Sequence, residues 1–135
     1  MTYPKKQTEL ARSAFRRLDA TTIPKQHPFL RQLYGLLDKH LDDPSINVDW
    51  LAMQLGINRK TLYRQVLRLT GYTPTILIRQ YRLQQAINLL QAGHSVIETA
   101  EAVGFSTASH FTTVFKKQYG QTPTQFVNTT TVTGS

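Results

Sequence analysis

The stretches VDWLAMQLGINRKTLYRQVLRLTGYTP (residues 48–74) and VIETAEAVGFSTASHFTTVFKKQYGQTP (residues 96–123) follow one pattern. A displacement of 48 positions brings five residues into register: Val48, Ala52, Leu55, Gly56 and Ile57 fall on Val96, Ala100, Val103, Gly104 and Phe105. A displacement of 49 aligns five more: Leu62, Val66, Gly71, Thr73 and Pro74 fall on Phe111, Phe115, Gly120, Thr122 and Pro123. Each stretch therefore predicts a short helix, a glycine-containing turn and a capped longer helix, with one extra residue in the second turn.

The shared residues suit a helix-turn-helix. Alanine in the first helix permits close approach of the second, and Gly56 or Gly104 supplies the turn. Ile57 or Phe105 then fills the corner beneath that turn. Any two helical hairpins can repeat in this way, but the duplicated Ala-x3-Gly-apolar core on a basic chain favours helix-turn-helix units. In such a unit the second helix enters the major groove of DNA with its N-terminus first.

Helix signals outside the repeat complete an all-α prediction. Apolar residues at helical spacing predict a helix from Phe29 to Leu41. Thr73-Pro74 caps and opens a long central helix that continues to Ala92, because proline is tolerated in the first turn of a helix. Thr122-Pro123 starts a final turn through Val127. No window alternates with period two, so the predicted fold is two homeodomain-like, three-helical subdomains joined by the central helix, about seven helices in all.

The chain divides into three parts. Residues 1–27 are interpreted as a linker from a longer parent chain, with a separate short helix from Glu9 to Leu18 as the alternative. The double helix-turn-helix domain spans 28–127, with a first unit at about 28–73, the central helix at 74–92 and a second unit at 94–127. The threonine-rich residues 128–135 are expected to form a flexible tail.

Charge is unevenly distributed along the 135 residues. Lys and Arg number 16 against 8 Asp and Glu, a formal charge of +8, which favours a polyanionic partner and nucleic acid over a membrane surface. Four aspartates cluster in one stretch: Asp38, Asp42, Asp43 and Asp49. From Trp50 to Ile97 there is no acidic residue but six cations: Arg59, Lys60, Arg64, Arg68, Arg79 and Arg82. A solvated helix surface normally mixes signs, so this segment favours a surface that faces phosphate.

Several classes of protein are disfavoured by composition. Without cysteine the chain has no disulfide, no cysteine-based zinc site and no thiol nucleophile. No apolar run approaches the length of a bilayer span. No carboxylate pair, phosphate loop or nucleophile–base pattern occurs, and the four scattered histidines lack the spacing of metal ligands. We therefore expect a cytoplasmic protein that is not an enzyme and that uses neither metal nor cofactor.

Five motifs are typical of one family: LA at 51–52, GYTP at 71–74, RLQQAINLL at 82–90, VGF at 103–105 and FTTVFKKQYGQTP at 111–123. With them, residues from about 29 to 126 resemble the AraC/XylS family of bacterial transcription factors. The resemblance implies seven helices and binding to successive major grooves on one face of DNA. Asp43-Pro44 and Leu62-Tyr63-Arg64 are most similar to output domains of hybrid two-component sensors. That similarity would explain residues 1–27 as a linker.

The outer face of the first recognition helix carries Arg59, Lys60, Tyr63, Arg64 and Gln65. By position in the family's motif, Lys60, Tyr63 and Arg64 match base-reading sites. Arg64 is the preferred base reader, because a guanidinium bonds guanine O6 and N7 bidentately; a phosphate contact and an intraprotein ion pair are the alternatives. Arg59 and Lys60 contact either bases or phosphates. Tyr63 contacts a thymine methyl or packs against its neighbours.

The outer face of the second recognition helix is less polar and consists of Ala108, Ser109, Thr112, Thr113 and Lys116. Members of the family commonly have arginine where this chain has Thr113, and often a polar amide where it has Ala108. Because this face has no arginine that could form bidentate hydrogen bonds with guanine, we expect weaker base discrimination here. Lys116, Lys117 and the helix N-terminus are then expected mainly to hold phosphate.

Four other residues have two interpretations each. Arg82 matches a family position that braces the central helix, which is favoured over a DNA contact, while Arg79 is a candidate phosphate contact. Trp50 is assigned to the core rather than to stacking on a ligand. His110, beside Phe111, either packs or faces phosphate and is not expected to bind metal.

The sequence predicts a transcriptional regulator that reads double-stranded DNA. By resemblance it is an activator that has RNA polymerase as a partner and that belongs to a longer sensor or regulator chain, with no membrane partner. The alternative is a helical adaptor that docks acidic proteins or membrane surfaces, but the apolar positions are consumed by the two repeated cores. The alkyl-transfer repair domains fused to some relatives need cysteines that this chain lacks.

Overall fold

The computed structural model describes residues 27–134, with side chains as far as Thr129. That part contains no strand and these helices: α1 Pro28–Lys39, α2 Val48–Leu55, α3 Arg59–Thr70, α4 Pro74–Gln91, α5 Val96–Ala102, α6 Ala108–Tyr119 and α7 Pro123–Gly134. The predicted all-α fold is confirmed. The linker assigned to residues 1–27 and its alternative helix lie outside the described residues, apart from His27. No helix between residues 27 and 134 combines the length and the apolar character needed to cross a bilayer.

Side-chain caps set where three of the helices begin. Asn58 Oδ1 accepts a hydrogen bond from the Thr61 backbone N–H at 2.7 Å, at the start of α3. Thr73 Oγ1 does the same for Ile76 at 3.4 Å, and Thr107 Oγ1 accepts at 3.0 Å from the third residue of α6. Each cap satisfies one of the N–H groups that a helix N-terminus leaves without a partner. The cap predicted at Thr73 is confirmed, and the longer helix of each repeat is capped as predicted.

The last helix is longer than the sequence indicated. Thr122 and Gln125 form a reciprocal cap: Thr122 Oγ1 accepts from the Gln125 N–H at 3.1 Å, and Gln125 Oε1 accepts from the Thr122 N–H at 2.8 Å. The prediction that this turn ends at Val127 is wrong, because α7 runs to Gly134 and includes residues 128–134, which were assigned to the tail. Threonine has modest helix propensity, but no proline or glycine interrupts the segment before Gly134, so the started helix continues.

The central helix α4 contributes to two separate cores. Its first half packs with α1, α2 and α3 in a core whose fully buried members include Leu30, Leu33, Leu51, Leu62, Val66 and Leu77. Its second half packs with α5, α6 and α7 around Leu83, Leu90, Val103, Phe111 and Phe115. Each such side chain stabilises the fold by about 1.5–3 kcal/mol relative to remaining exposed. Because one rigid helix belongs to both cores, it sets the spacing of the two units.

The two units also touch directly at the turn of the second. Gly104 lies so close to the α1–α2 loop that a Cβ added there would stand 2.5 Å from the Leu41 carbonyl oxygen. Arg82 Nη2 donates to the Asp43 carbonyl oxygen at 2.8 Å and lies beside the same glycine. Burial lowers the pKa of the Arg82 guanidinium, and the nearby Asp43 charge opposes that shift. The bracing role predicted for Arg82 is confirmed.

Thr99 is fully buried on α5, at the position that corresponds to Leu51 in the first unit. Within the described part of the chain its hydroxyl has no hydrogen-bond partner. Burial of an unpaired hydroxyl is unfavourable, and valine keeps the shape of threonine without that group, so we expect Thr99→Val to raise the free energy of unfolding by about 1 kcal/mol.

Urea denaturation followed by circular dichroism measures this change. The matched control is Thr70→Val, because the Thr70 hydroxyl donates to the Val66 carbonyl at 2.7 Å. This second variant should lose about 1 kcal/mol. A loss of stability in Thr99→Val as well would contradict the assignment of an unsatisfied hydroxyl.

Candidate nucleic-acid interface

The outward face of α3 is a cationic surface. Leu62 and Val66 are fully buried and fix which side of the helix points into the first core. The opposite side carries four of the predicted DNA-contacting residues along one shallow groove: Arg59, Lys60, Tyr63 and Arg64. All four are exposed, and Tyr63 is 47% exposed. The structure thus brings the predicted residues of the first unit together on one accessible face. Their DNA contacts stay a prediction.

Arg59 is engaged by an acidic residue that the sequence analysis did not assign to the site. Its Nη1 lies 2.9 Å from Asp49 Oδ1, and the two side chains are 68% and 66% exposed. Asp49 lies in the first turn of α2, whereas Arg59 is the first residue of α3. A separation of ten residues matches no helical spacing, so only the crossing of α2 over α3 reveals this pair.

Arg64 differs from the other arginines of α3. The structure gives it no ion pair or hydrogen bond within residues 27–134, so its predicted alternative of an intraprotein ion pair has no support there. Arg68, one turn further along, donates from Nη2 to Gln65 Oε1 at 2.7 Å. Among the α3 arginines, Arg64 therefore presents its guanidinium to a ligand without first giving up a partner.

The second recognition helix, α6, presents less hydrogen-bonding capacity. Ala108 is half-buried against the second core, which reduces what it offers to a ligand. The Thr113 hydroxyl donates to the Ser109 carbonyl at 3.1 Å inside the helix. Thr112 is half-buried and Ser109 is exposed. The residue equivalent to Arg64 in this unit is therefore Thr113, a short side chain whose hydroxyl already donates a hydrogen bond within the helix.

Cations on α6 lie toward its other end. Lys116 and Lys117 are exposed in the last turns and border a shallow groove with Thr112, Thr113 and Thr122. Cations near a helix C-terminus are favoured by the helix dipole, and they remain free to meet phosphate. The residues predicted for the second unit thus lie along one side of α6, with its charge displaced from the N-terminus.

A cleft of about 240 Å³ lies between the two units, beside their contact at Gly104. Polar residues on its wall come from both units and from α4: Asn47, Thr75, Arg79, Arg82, Ser106 and His110. The His110 ring packs edge-on against Phe105, with centroids 5.5 Å apart, as the packing interpretation predicts. Arg79 is exposed at this cleft, between the two recognition helices in chain order.

Trp50 belongs to the first unit's packing rather than to the exposed surface. It is half-buried against the first core, and its ring meets His40 edge-on at a centroid distance of 4.9 Å. Trp50 thus packs against the core as predicted, but it lies at the partly buried edge and not among the buried core residues.

Several known proteins are similar to this chain in sequence and in fold. A sequence family described as "Helix-turn-helix domain" matches residues 51–129. The HTH-type transcriptional activator RhaS of Escherichia coli is 35% identical over 95 residues, which cover 70% of this chain. The C-terminal domain of AraT, a response regulator from Geobacillus stearothermophilus, superposes with a TM-score of 0.70 at 28% identity, covering 76% of this chain and 86% of that one.

One similar structure contains DNA. The DNA-binding domain of AdpA, a global transcriptional factor solved in complex with a target DNA, matches with a TM-score of 0.66 at 29% identity; the match covers 74% of this chain and 90% of that one. The chain spans only part of its curated relatives: 34% of RhaS, and 7% of histidine kinase P4 from Formosa agariphila, to which it is 26% identical over 100 residues.

Proposed function

The chain belongs to the AraC/XylS family of helix-turn-helix DNA-binding domains, and on that premise we propose that it reads a specific duplex sequence. The recognition helices α3 and α6 enter two successive major grooves on one face of the DNA. The observation that carries this proposal is the cationic outer face of α3, with Arg64 exposed and unpaired within the described residues. The fold match to the AdpA domain, which was solved with a target DNA, supports it.

The biological setting follows from the relatives as part of the same proposal. RhaS is a transcriptional activator, which supports activation of transcription and RNA polymerase as a partner of this chain. AraT is a response regulator and P4 is a histidine kinase, which supports a role as the output part of a longer sensor or regulator. Such a protein acts in the bacterial cytoplasm, where the DNA is.

The two recognition helices divide the work unequally. Arg64, with Lys60 and Tyr63 beside it, supplies base contacts in the first groove. The second groove receives short side chains such as Ser109 and Thr113, while Lys116 and Lys117 hold phosphate. Arg79, exposed at the cleft between the units, contacts the backbone that runs from one groove to the next. Sequence preference should therefore be stronger in the half-site that α3 reads.

Selection from a random duplex library, followed by titration at two salt concentrations, tests this function. We expect a motif with two half-sites about 10 base pairs apart, one of them better defined than the other. Affinity should fall with salt by roughly 0.9 logarithmic units per neutralised phosphate for each tenfold increase in salt. If no sequence is enriched, the chain is not a specific reader; retention on anionic liposomes without a shift of duplex DNA would indicate an adaptor.

A further inference from the structure

The ion pair between Asp49 and Arg59 connects the two helices of the first helix-turn-helix. Asp49 is the second residue of α2 and Arg59 is the first residue of α3, so the pair lies where both helices begin. The distance of 2.9 Å is that of a charge-assisted hydrogen bond, yet both side chains are about two-thirds exposed. An exposed pair of this kind contributes little to folding, which suggests a role on the surface itself.

The second unit shows that the pair is not needed to hold two such helices together. The internal repeat places Ile97 at the position of Asp49 and Ala108 at the position of Arg59. Ile97 is 64% exposed, and Ala108 packs against the second core. The same helix–turn–helix therefore forms without the charge pair. What distinguishes the first unit is its cationic recognition helix, not its packing.

Asp49 reduces the positive charge of that helix at one point. Arg59, Lys60, Arg64 and Arg68 all extend from α3, and the structure pairs only Arg59 with a carboxylate among the described residues. The same carboxylate lies in the first turn of α2, where the helix dipole would otherwise favour a phosphate. One acidic side chain thus weakens two features that bind DNA backbone without regard to sequence.

We propose that Asp49 is a specificity-determining residue that withholds Arg59 from the DNA backbone at non-cognate sequences. Non-cognate binding relies on phosphate contacts in no fixed register, so a released Arg59 would find a phosphate at every position. At the cognate site, base contacts such as that of Arg64 fix the register, and a released Arg59 adds less. This inference rests on the proposed function, because it concerns how α3 meets duplex DNA.

The test measures affinity and its salt dependence for a random-sequence duplex and for the selected duplex. Four proteins are compared: wild type, Asp49→Asn, Arg59→Ala and the double variant. Asp49→Asn should raise affinity for the random duplex about 3- to 10-fold. The slope of the logarithm of affinity against the logarithm of salt concentration should become steeper by about 0.9, the value for one added phosphate contact. The ratio of cognate to random affinity should fall several-fold. Arg59→Ala should cancel these changes in the double variant, and on the random duplex it should weaken binding much less when Asp49 is present than when it is replaced.

The matched control is Glu101→Gln, which removes an exposed carboxylate from α5 and changes the net charge equally. It should leave the salt dependence nearly unchanged. If Glu101→Gln matches Asp49→Asn, the effect is one of net charge and the proposal fails. It also fails if Arg59→Ala weakens random-duplex binding equally with and without Asp49. Affinity for the random duplex can be measured without knowledge of a preferred sequence. These outcomes can therefore be interpreted even if library selection finds no specific motif.

Discussion

Replacement of Gly104 by alanine should lower the free energy of unfolding by about 2–5 kcal/mol, whereas the same change at Gly56 should cost about 1–2 kcal/mol. The two glycines occupy corresponding turns and have similar left-handed backbones, with φ of +86° and +71°. Their shared cost is that of an L side chain in that conformation, about 1–2 kcal/mol. A difference between the variants therefore reports what surrounds each turn.

The surroundings of the two turns are unlike. A Cβ at Gly56 meets nothing within 4 Å. At Gly104 it would stand 2.5 Å from the Leu41 carbonyl oxygen and 3.0 Å from Arg82 Cζ. The carbonyl belongs to the backbone and cannot rotate away, so the second unit must shift from the first; such overpacking costs about 1–3 kcal/mol.

Parallel urea denaturation of the two alanine variants measures the difference. The wild-type slope with denaturant should be retained in both, so that the midpoints report stability alone. Equal losses at the two glycines would show that the close approach at Gly104 relaxes without cost. The Gly104 variant should also bind a two-half-site duplex less tightly than the Gly56 variant, because the spacing of the units is disturbed.

Arg64→Ala is expected to weaken binding to the selected duplex by about 1–3 kcal/mol and to abolish preference at one base pair. The guanidinium is exposed on α3, and within the described residues it pairs with no other side chain, so its donors are available to guanine O6 and N7. Fold stability should change little, because the side chain does not pack into the first core. Titration against duplexes that differ at single base pairs measures the lost preference.

Two residues of α6 serve as controls for Arg64. Thr113 occupies the corresponding position, but its hydroxyl already bonds the Ser109 carbonyl, so Thr113→Ala should have a much smaller effect. Lys116→Ala should weaken all duplexes alike and reduce the salt dependence by about 0.9. If Arg64→Ala behaves like Lys116→Ala, with equal losses on every sequence, Arg64 contacts phosphate and not a base.

The first and last residues of most helices were predictable because local chemistry decides them. A cap such as Asn58 or Thr107 and the glycine that ends a helix act within a few residues, so they are visible in the sequence. Where such a local signal was absent, prediction failed: no stop follows Val127, and α7 continued to Gly134. The outward face of α3 was equally predictable, since burial of Leu62 and Val66 leaves only one side exposed.

By itself, the repeated pattern in residues 48–74 and 96–123 determined the two helix-turn-helix units and their unequal recognition faces. Only the tertiary structure distinguished residues that the repeat makes equivalent. Gly104 touches the α1–α2 loop while Gly56 meets open space, and Arg59 reaches Asp49 across ten residues. The physical reason is range: caps, turns and apolar spacing act along the chain. The close approach at Gly104 depends instead on how α4 places one unit against the other, and the ion pair depends on how α2 crosses α3 within the first unit.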